Sequence, residues 1–401
     1  MGWRFLTLEE LATQEKGAIR IGPFGSALKK HEYSDTGIRV LGIEDVFPNR
    51  LVSTKRKFIP EEKFRVLSQY AVRPGDILVT NMGTVGRTCV VPNDLETSII
   101  SSHLIKVSLN QQFVFPAYVS WMLNFCPLVV AQIEAESHGA IMAGFNSALL
   151  KKLRIPLPPL AEQRRITAIL DQADALRAQR RAALAQLDTL TQAIFLDMFG
   201  DPIRNPKGFP VRPMIELVDP ERPISYGILM PGPDQAEGVK YVRVVDMKGG
   251  GVELSAIRKT TGAISDAFHR SLLRPGDLLM SIRGHVGRVA VVPAALDGAN
   301  ITQDTARLAI QGASSVFVRE SLRTQGLQRW MEKHTKGVAV RGINLGDLKQ
   351  MPVMLPQIRY QETFACRAVA IENLRTIQRA SLAKLDELFA ALQHRAFRGE
   401  L

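Results

Sequence analysis

Short apolar, β-branched runs between Gly- and Pro-containing turns alternate with two long proline-free stretches along this chain. Ile77–Thr80, Thr88–Val91 and Leu104–Val107 have the length and bounding turn residues of strands, as do Leu278–Ile282, Val289–Val292 and Ala306–Ile310. The spacing predicts a mainly antiparallel sheet with added helices in each half. Arg73-Pro-Gly-Asp76 and Arg274-Pro-Gly-Asp277 put Pro and Gly where a β-turn takes them. The carboxylates of Asp76 and Asp277 are therefore read as turn caps rather than catalytic groups. Gly83-Thr-Val-Gly86 and Gly284-His-Val-Gly287 fall between strands, where glycine admits positive φ or a close approach to a ligand.

The proline-free stretches read as long helices. Pro158-Pro159 precedes the first and Gly200 follows it; Pro356 precedes the second and Gly399 follows it. In the first, Ile169, Ala173, Leu176, Ala183, Leu187, Leu190 and Ile194 recur at steps of three, four or seven. Ile371, Leu374, Leu385, Leu388 and Leu392 do so in the second, with Arg180 interrupting one stripe and Gln378 and Ser381 the other. This is a coiled-coil pattern, and about 38 residues would run roughly 57 Å as a helix.

One stretch has the apolarity of a membrane span. No charge occurs between Lys106 and Glu134. Pro116, Asn124 and Pro127 interrupt it, which predicts two short buried helices instead. Its counterpart in the second half, Ser315–Met331, carries Arg319, Glu320, Arg323 and Arg329, which does not suit a bilayer.

That counterpart belongs to an internal repeat. Arg73–Pro92 and Arg274–Pro293 share 12 identities in 20 positions at a constant offset of 201. Gly139, Gly144, Asn146, Leu150, Lys151, Leu157, Pro158 and Gln163 match Gly337, Gly342, Asn344, Leu348, Lys349, Leu355, Pro356 and Gln361 at offset 198. The chain is one plan of about 200 residues written twice.

Charge follows the repeat. The 401 residues carry 51 Lys and Arg against 39 Asp and Glu, a net +12. Residues 1–159 hold +4, 160–199 zero, 200–356 +6 and 357–401 +2. A basic surplus on two similar domains, with neutral helices between, points to two sites for a polyanion such as DNA. Cys89, Cys126 and Cys366 lie far apart, which excludes a disulfide scaffold and fits a reducing cytoplasm. No apolar h-region follows Met1–Phe5, so a secretory leader is not expected.

Catalytic signatures are missing. The chain has no phosphate loop, no G-x-G-x-x-G, no H-x-x-x-H pair and no nucleophile elbow. Nor does it have the [ND]-P-P-[YFW] tetrad of an adenine methyltransferase. A chain performing no chemistry of its own is the reading that follows.

The arrangement resembles the specificity (S) subunit of type I restriction–modification systems over essentially its whole length. The motifs that carry the resemblance are Pro74-Gly-Asp-Ile-Leu-Val-Thr80 with Gly83-Thr-Val-Gly-Arg87, its second copy, and Ile155-Pro-Leu-Pro-Pro-Leu-Ala-Glu-Gln-Arg-Arg-Ile166. The helix ending Met198-Phe-Gly-Asp-Pro202 and the terminal Ala396-Phe-Arg-Gly-Glu-Leu401 add to it. Met354-Leu-Pro-Gln-Ile-Arg-Tyr-Gln361 departs from the first helix start.

The resemblance implies an α+β fold. Two similar target recognition domains, 1–158 and 201–356, would be separated by antiparallel coiled-coil spacer helices, 159–200 and 357–401, in a pseudo-two-fold repeat. Each domain would read half of a bipartite duplex target. The helices would set the gap and dock two methyltransferase (M) subunits, which bind S-adenosylmethionine. Motor-nuclease (R) subunits, using ATP and Mg, would complete the complex.

DNA contacts are expected from Arg20, Lys29, Lys30, Lys55, Arg56, Lys57, Asn81 and Arg87 in the first domain. Lys248, Arg258, Lys259, Arg283, His285 and Arg288 are those expected in the second. Arg87 and Arg288, identical in both copies, suit phosphate contact or structure; Arg283 suits base choice. Ile169, Leu176, Leu187 and Leu190 are most simply the seam with Leu374, Leu385 and Leu388. Leu170, Leu184, Phe195 and Phe389 would then face the methyltransferase subunits, a division that periodicity alone leaves open. A stand-alone DNA-binding regulator and a nucleic-acid enzyme with an unfamiliar site are the competing readings.

Overall fold

The computed structural model describes residues 3–52, 57–137, 146–337 and 341–401. The chain forms two compact units, Met1–Gln179 with Leu382–Leu401, and Arg180–Ser381. Each unit contains one globular part and one stretch of each long helix.

In the first unit a four-stranded antiparallel sheet runs in the order Ile19–Ile21, Leu104–Val107, Ile77–Thr80, Thr88–Val90. Ile77 and Val79 enter one core with Leu8, Tyr118 and Met122; Leu78 enters another with Leu41, Cys89 and Leu104. Burial on both faces explains why this run is continuously apolar. It also pushes the Cys89 thiol up to about 12, leaving it an inert core group. A three-stranded sheet, Phe58–Ile59, Ile38–Leu41, Ser98–Ile100, lies alongside in sequence, with its last two strands parallel. Arg4–Thr7 pairs with Arg154–Leu157, just before the first long helix.

The second unit has the same strand orders. Its larger sheet is Ser225–Tyr226, Thr305–Leu308, Leu278–Ser281, Val289–Val291, and its smaller one Arg258–Thr260, Val239–Val242, Asn300–Ile301. Leu278 and Met280 enter one core and Leu279 the other, repeating the division at Ile77–Val79. Both Pro-Gly-Asp turns behave as expected: Gly75 and Gly276 have φ of 85° and 86°. The carboxylates of Asp76 and Asp277 accept from the backbone N–H of Arg73 and Arg274, both at 2.8 Å.

The apolar stretch forms Pro116–Phe125 and Pro127–Ser137, bent by 64° at their junction. Among the described residues no single helix is long and apolar enough to cross a membrane.

The long helices are Leu160–Phe199 and Ile358–Arg398. Within the first unit Arg177 pairs with Asp386 at 2.6 Å and stacks 4.0 Å from the Phe389 ring, while Arg165 bonds to the Leu401 carbonyl. Within the second unit Arg180 meets Gln378, Asp188 meets Arg375 and Phe195 meets Phe364. Rising numbers on one helix meet falling numbers on the other, so the stretches in each unit run antiparallel.

The faces of these helices correct the sequence reading. Leu176, Leu190, Leu374 and Leu388, expected in the seam, are 46%, 41%, 48% and 53% exposed. Ile169, Leu187 and Leu385 are half-buried. Leu170, Phe195 and Phe389, expected to face partners, are buried, and Leu184 is half-buried. The reason is packing against the globular parts. Leu170 and Phe389 fill the core with Trp121, and Phe195 fills the one with Phe317 and Met214. A stripe read for two helices alone overlooks this third surface.

Both helix starts are pinned alike. Gln163 donates to the carbonyls of Pro158 (2.8 Å) and Phe113 (3.0 Å) and accepts from the Phe115 N–H (2.8 Å). Gln361 donates to the Pro356 carbonyl (2.7 Å) and accepts from the Ser314 N–H (3.0 Å). The divergent second start therefore keeps the side chain that matters for the joint.

Candidate nucleic-acid interface

Strand register determines which loops meet. In the first unit Leu104 pairs with Thr80 and Ile105 with Ile21. The segments after Ile21 and Thr80 and the segment before Leu104 therefore share one end of the sheet. Backbone bonds stitch them: Gly22 N–H to the Leu104 carbonyl (3.0 Å) and Asn81 N–H to the His103 carbonyl (3.1 Å). A β-carbon at Gly22 would lie 2.0 Å from the Ser101 carbonyl oxygen, so only glycine allows this crossing.

The second unit repeats the assembly. Ile282 N–H donates to Asp304 (2.8 Å), Ile228 N–H to Ile301 (2.7 Å) and Gln303 N–H to Ile228 (2.9 Å). Gly227 takes the place of Gly22, its absent β-carbon 1.9 Å from the Ile301 carbonyl oxygen.

A hydroxyl holds each central loop. Thr80 Oγ1 accepts from the Arg87 N–H at 3.0 Å and bonds to the Thr84 carbonyl. Ser281 Oγ accepts from the Arg288 N–H at 2.8 Å and bonds to the His285 carbonyl. The glycines that close the loops, Gly83, Gly86, Gly284 and Gly287, all have φ between 69° and 90°. A fixed backbone thus presents Met82, Val85 and Arg87 in one unit, and Arg283, His285 and Arg288 in the other, all exposed.

Several expected DNA contacts lie elsewhere. Asn81 is 7% exposed and its Nδ2 donates to the Ser102 carbonyl at 3.2 Å, so it ties two loops together instead of reaching outward. Arg20 is half-buried on the sheet face, donating to Gln69 at 2.7 Å beside Tyr70. Its strand neighbour Lys106 donates to the Ala71 carbonyl at 2.6 Å, and burial pulls its pKa down. Lys57 pairs with Glu44 at 2.9 Å, a bond that raises the lysine's pKa. Lys29 and Lys30 are exposed just beyond the first loop. Lys55 and Arg56 lie outside the described residues.

Arg258 and Lys259 sit on a strand of the smaller sheet, and the Lys259 amine donates to the Ala236 carbonyl at 2.7 Å. Lys248 pairs with Glu253 but also lines a groove of about 570 Å³ with Gly287, Arg288, Arg323 and Gln328. A second groove, about 520 Å³, is lined by Gly284, His285, Val286, Gln328, Arg329 and Arg341. Gly284 N–H donates to the Arg341 carbonyl (3.0 Å), and Ile343 N–H to that of Ile282 (2.9 Å), which brings Arg341–Ile343 onto the loop.

Arg329 and Arg341 line the second groove without having been among the residues expected from the sequence; the repeated Gly337 and Gly342 around the latter were the available signal. The counterpart of that segment in the first unit lies among residues 138–145, outside the described residues. Lys248, Arg288 and Arg323 line the first groove, and Arg329 and Arg341 line the second beside Glu332; cationic donors of this kind suit phosphates and base edges.

Residues 2–186 match the family model described as Type I restriction modification DNA specificity domain. The chain is similar to the type I restriction enzyme EcoBI specificity subunit of Escherichia coli, 27% identical over 412 residues, covering 94% of this chain and 83% of that one. It is also similar to the putative type I restriction enzyme MjaX specificity subunit of Methanocaldococcus jannaschii, 21% identical over 372 residues, 89% of this chain and 86% of that one. The fold is similar to the type I restriction–modification S subunit of M. genitalium, with a TM-score of 0.60 at 13% identity over 99% of this chain and 96% of that one. A chain from the structural study of assembly and conformational transition in a type I R-M system gives 0.59 at 20% identity, over 100% and 98%.

Proposed function

The chain belongs to the family of type I restriction–modification specificity subunits, non-catalytic DNA-recognition proteins, and from that membership we propose how it divides the reading of its target. Residues 1–158 and 201–356 act as two target recognition domains, each reading half of a bipartite duplex sequence. The sheet-end loops 22–27, 81–87 and 101–103 face one half-site, and loops 227–232, 282–288 and 302–304 face the other. The observation that carries this reading is one backbone device carrying unlike side chains: Met82 and Thr84 stand where Arg283 and His285 stand in the second copy. Two readers of different half-sites need that combination.

Arg283 is assigned to guanine and Arg87 and Arg288 to phosphates. Arg329 and Arg341 add phosphate contacts beside the second loop. The helices 159–200 and 357–401 set the gap between half-sites, so removing equal lengths from both shortens it. Their exposed Leu176, Leu190, Leu374, Ile377 and Leu388 are the docking positions for methyltransferase subunits, two copies in the family pattern. S-adenosylmethionine belongs to those partners, and ATP and Mg to the motor-nuclease subunits. A regulator acting alone is not supported by this membership.

The test is co-expression with the methyltransferase subunit of its own system, followed by genome-wide mapping of methylated adenines. A bipartite motif is the expected result; a single contiguous motif, or none, contradicts the reading.

A further inference from the structure

The two sheet ends share a feature that the sequence repeat hides. Gly22 and Gly227 are equivalent by strand pairing and by the carbonyl each lies against, yet they are 205 positions apart while the main repeat runs at 201. Two residues beyond each glycine stands a large apolar side chain in water: Phe24, 63% exposed, and Leu229, 50% exposed, followed by Met230 at 83%. Single exposed apolar residues are ordinary on protein surfaces. A matched pair, on loops whose backbone is fixed by an obligatory glycine and stitched to the base-reading hairpins, is a placed feature.

We infer that Phe24 and the Leu229–Met230 pair are specificity determinants that pack on thymine methyl groups, one set in each half-site. The inference rests on the DNA-reading role proposed above and names its chemistry. An apolar side chain offers no hydrogen bond to a base edge, and the apolar group that base edges present in the major groove is the thymine C5-methyl. Phe24 is followed by Gly25, whose absent β-carbon would meet nothing within 4 Å, so the loop leaves room for a base edge beside the ring. The hairpins supply polar contacts in the same groove: Arg283 and His285 in the second unit. The second half-site is thus read by hydrogen bonding and by methyl contact together.

The experiment is a deoxyuridine scan of the mapped target, using the full chain assembled with its methyltransferase subunit. Replacing each thymine by uracil removes one methyl and keeps the Watson–Crick edge. Affinity should fall about threefold to fivefold at one or two positions in each half-site, the scale of one buried methyl. In Phe24→Ala the drop should vanish in one half-site and persist in the other; Met230→Ala with Leu229→Ala should do the reverse. Phe24→Leu, which keeps an apolar contact, should retain part of the effect.

A flat scan with intact preference for the target over scrambled DNA overturns the inference and leaves the DNA-reading role standing. So does a loss of affinity in Phe24→Ala that is equal for thymine and uracil duplexes, the mark of a wedge between base steps. Absence of any preference in the wild-type assembly overturns the reading role itself, and this inference with it.

Discussion

Arg180 donates to the side-chain carbonyl of Gln378. Each interrupts the apolar stripe of its own helix, and the two interruptions meet. Polar pairing recurs along this joint: Arg375, 6% exposed, bonds to Asp188 and to Glu372 (2.7 Å), and Arg177 to Asp386 (2.6 Å). The helix pair is held by a few placed polar bonds between aromatic and aliphatic plugs, a pattern that fixes register more than it adds stability.

Arg375→Ala should therefore cost about 1–2 kcal/mol, since its carboxylate partners are partly exposed and regain water once the guanidinium is gone. Arg375→Leu should recover most of that loss. Urea denaturation of both variants checks this, and a midpoint for Arg375→Ala within error of wild type contradicts it.

Loop geometry depends on Thr80 and Ser281. Thr80→Val and Ser281→Ala each strip the acceptor from a backbone N–H at the hairpin, at a cost of about 1–2 kcal/mol. Each should also weaken discrimination against mismatched targets in its own half-site. Discrimination unchanged in filter-binding competition would falsify the role given to these hydroxyls.

Arg283 and Arg288 are assigned different tasks in the proposed reading. Arg283→Ala should relax preference at one base pair of one half-site by about 1–3 kcal/mol. Arg288→Ala should weaken binding to every sequence and reduce the slope of log K against log salt by about one. The measurement is a salt titration with cognate and random duplexes. Equal losses on both duplexes for both variants would remove the distinction.

The thiols give a check on the fold itself. Cys366 is exposed, whereas Cys89 and Cys126 are buried, with burial raising the pKa of both. A thiol reagent at pH 8 should modify one cysteine quickly in the native chain and three after denaturation. Fast reaction of Cys89 in native protein contradicts the two-faced burial of the central sheet.

The strands were legible because Ile77–Thr80 and Leu278–Ser281 are buried on both faces and bounded by Pro-Gly turns, so apolar runs and punctuation agree. The repeat exposed the paired hairpins, and with them Arg87, Arg283, His285 and Arg288. Asn81 was misjudged because its position beside a loop says nothing of which way its amide turns; the bond to Ser102 turns it inward. The helix faces were exchanged because a heptad stripe treats the helices as each other's only neighbours. Phe195 and Phe389 instead fill cores of the globular parts, leaving Leu190 and Leu388 to solvent. Phe24 escaped notice since the chain from Gly22 to Gly37 is four residues longer than that from Gly227 to Gly238, so the constant offset does not reach back to Leu229.

In the function proposed above, each unit reads its own half-site through the loops at one end of its sheet. The most direct measurement is methylated-adenine mapping of the assembly carrying the second unit's hairpin changed at Arg283 and His285 together. The expected result is a motif altered in one half only, with the other half and the gap between them unchanged. Altered bases in both halves, or an unaltered motif, would contradict it.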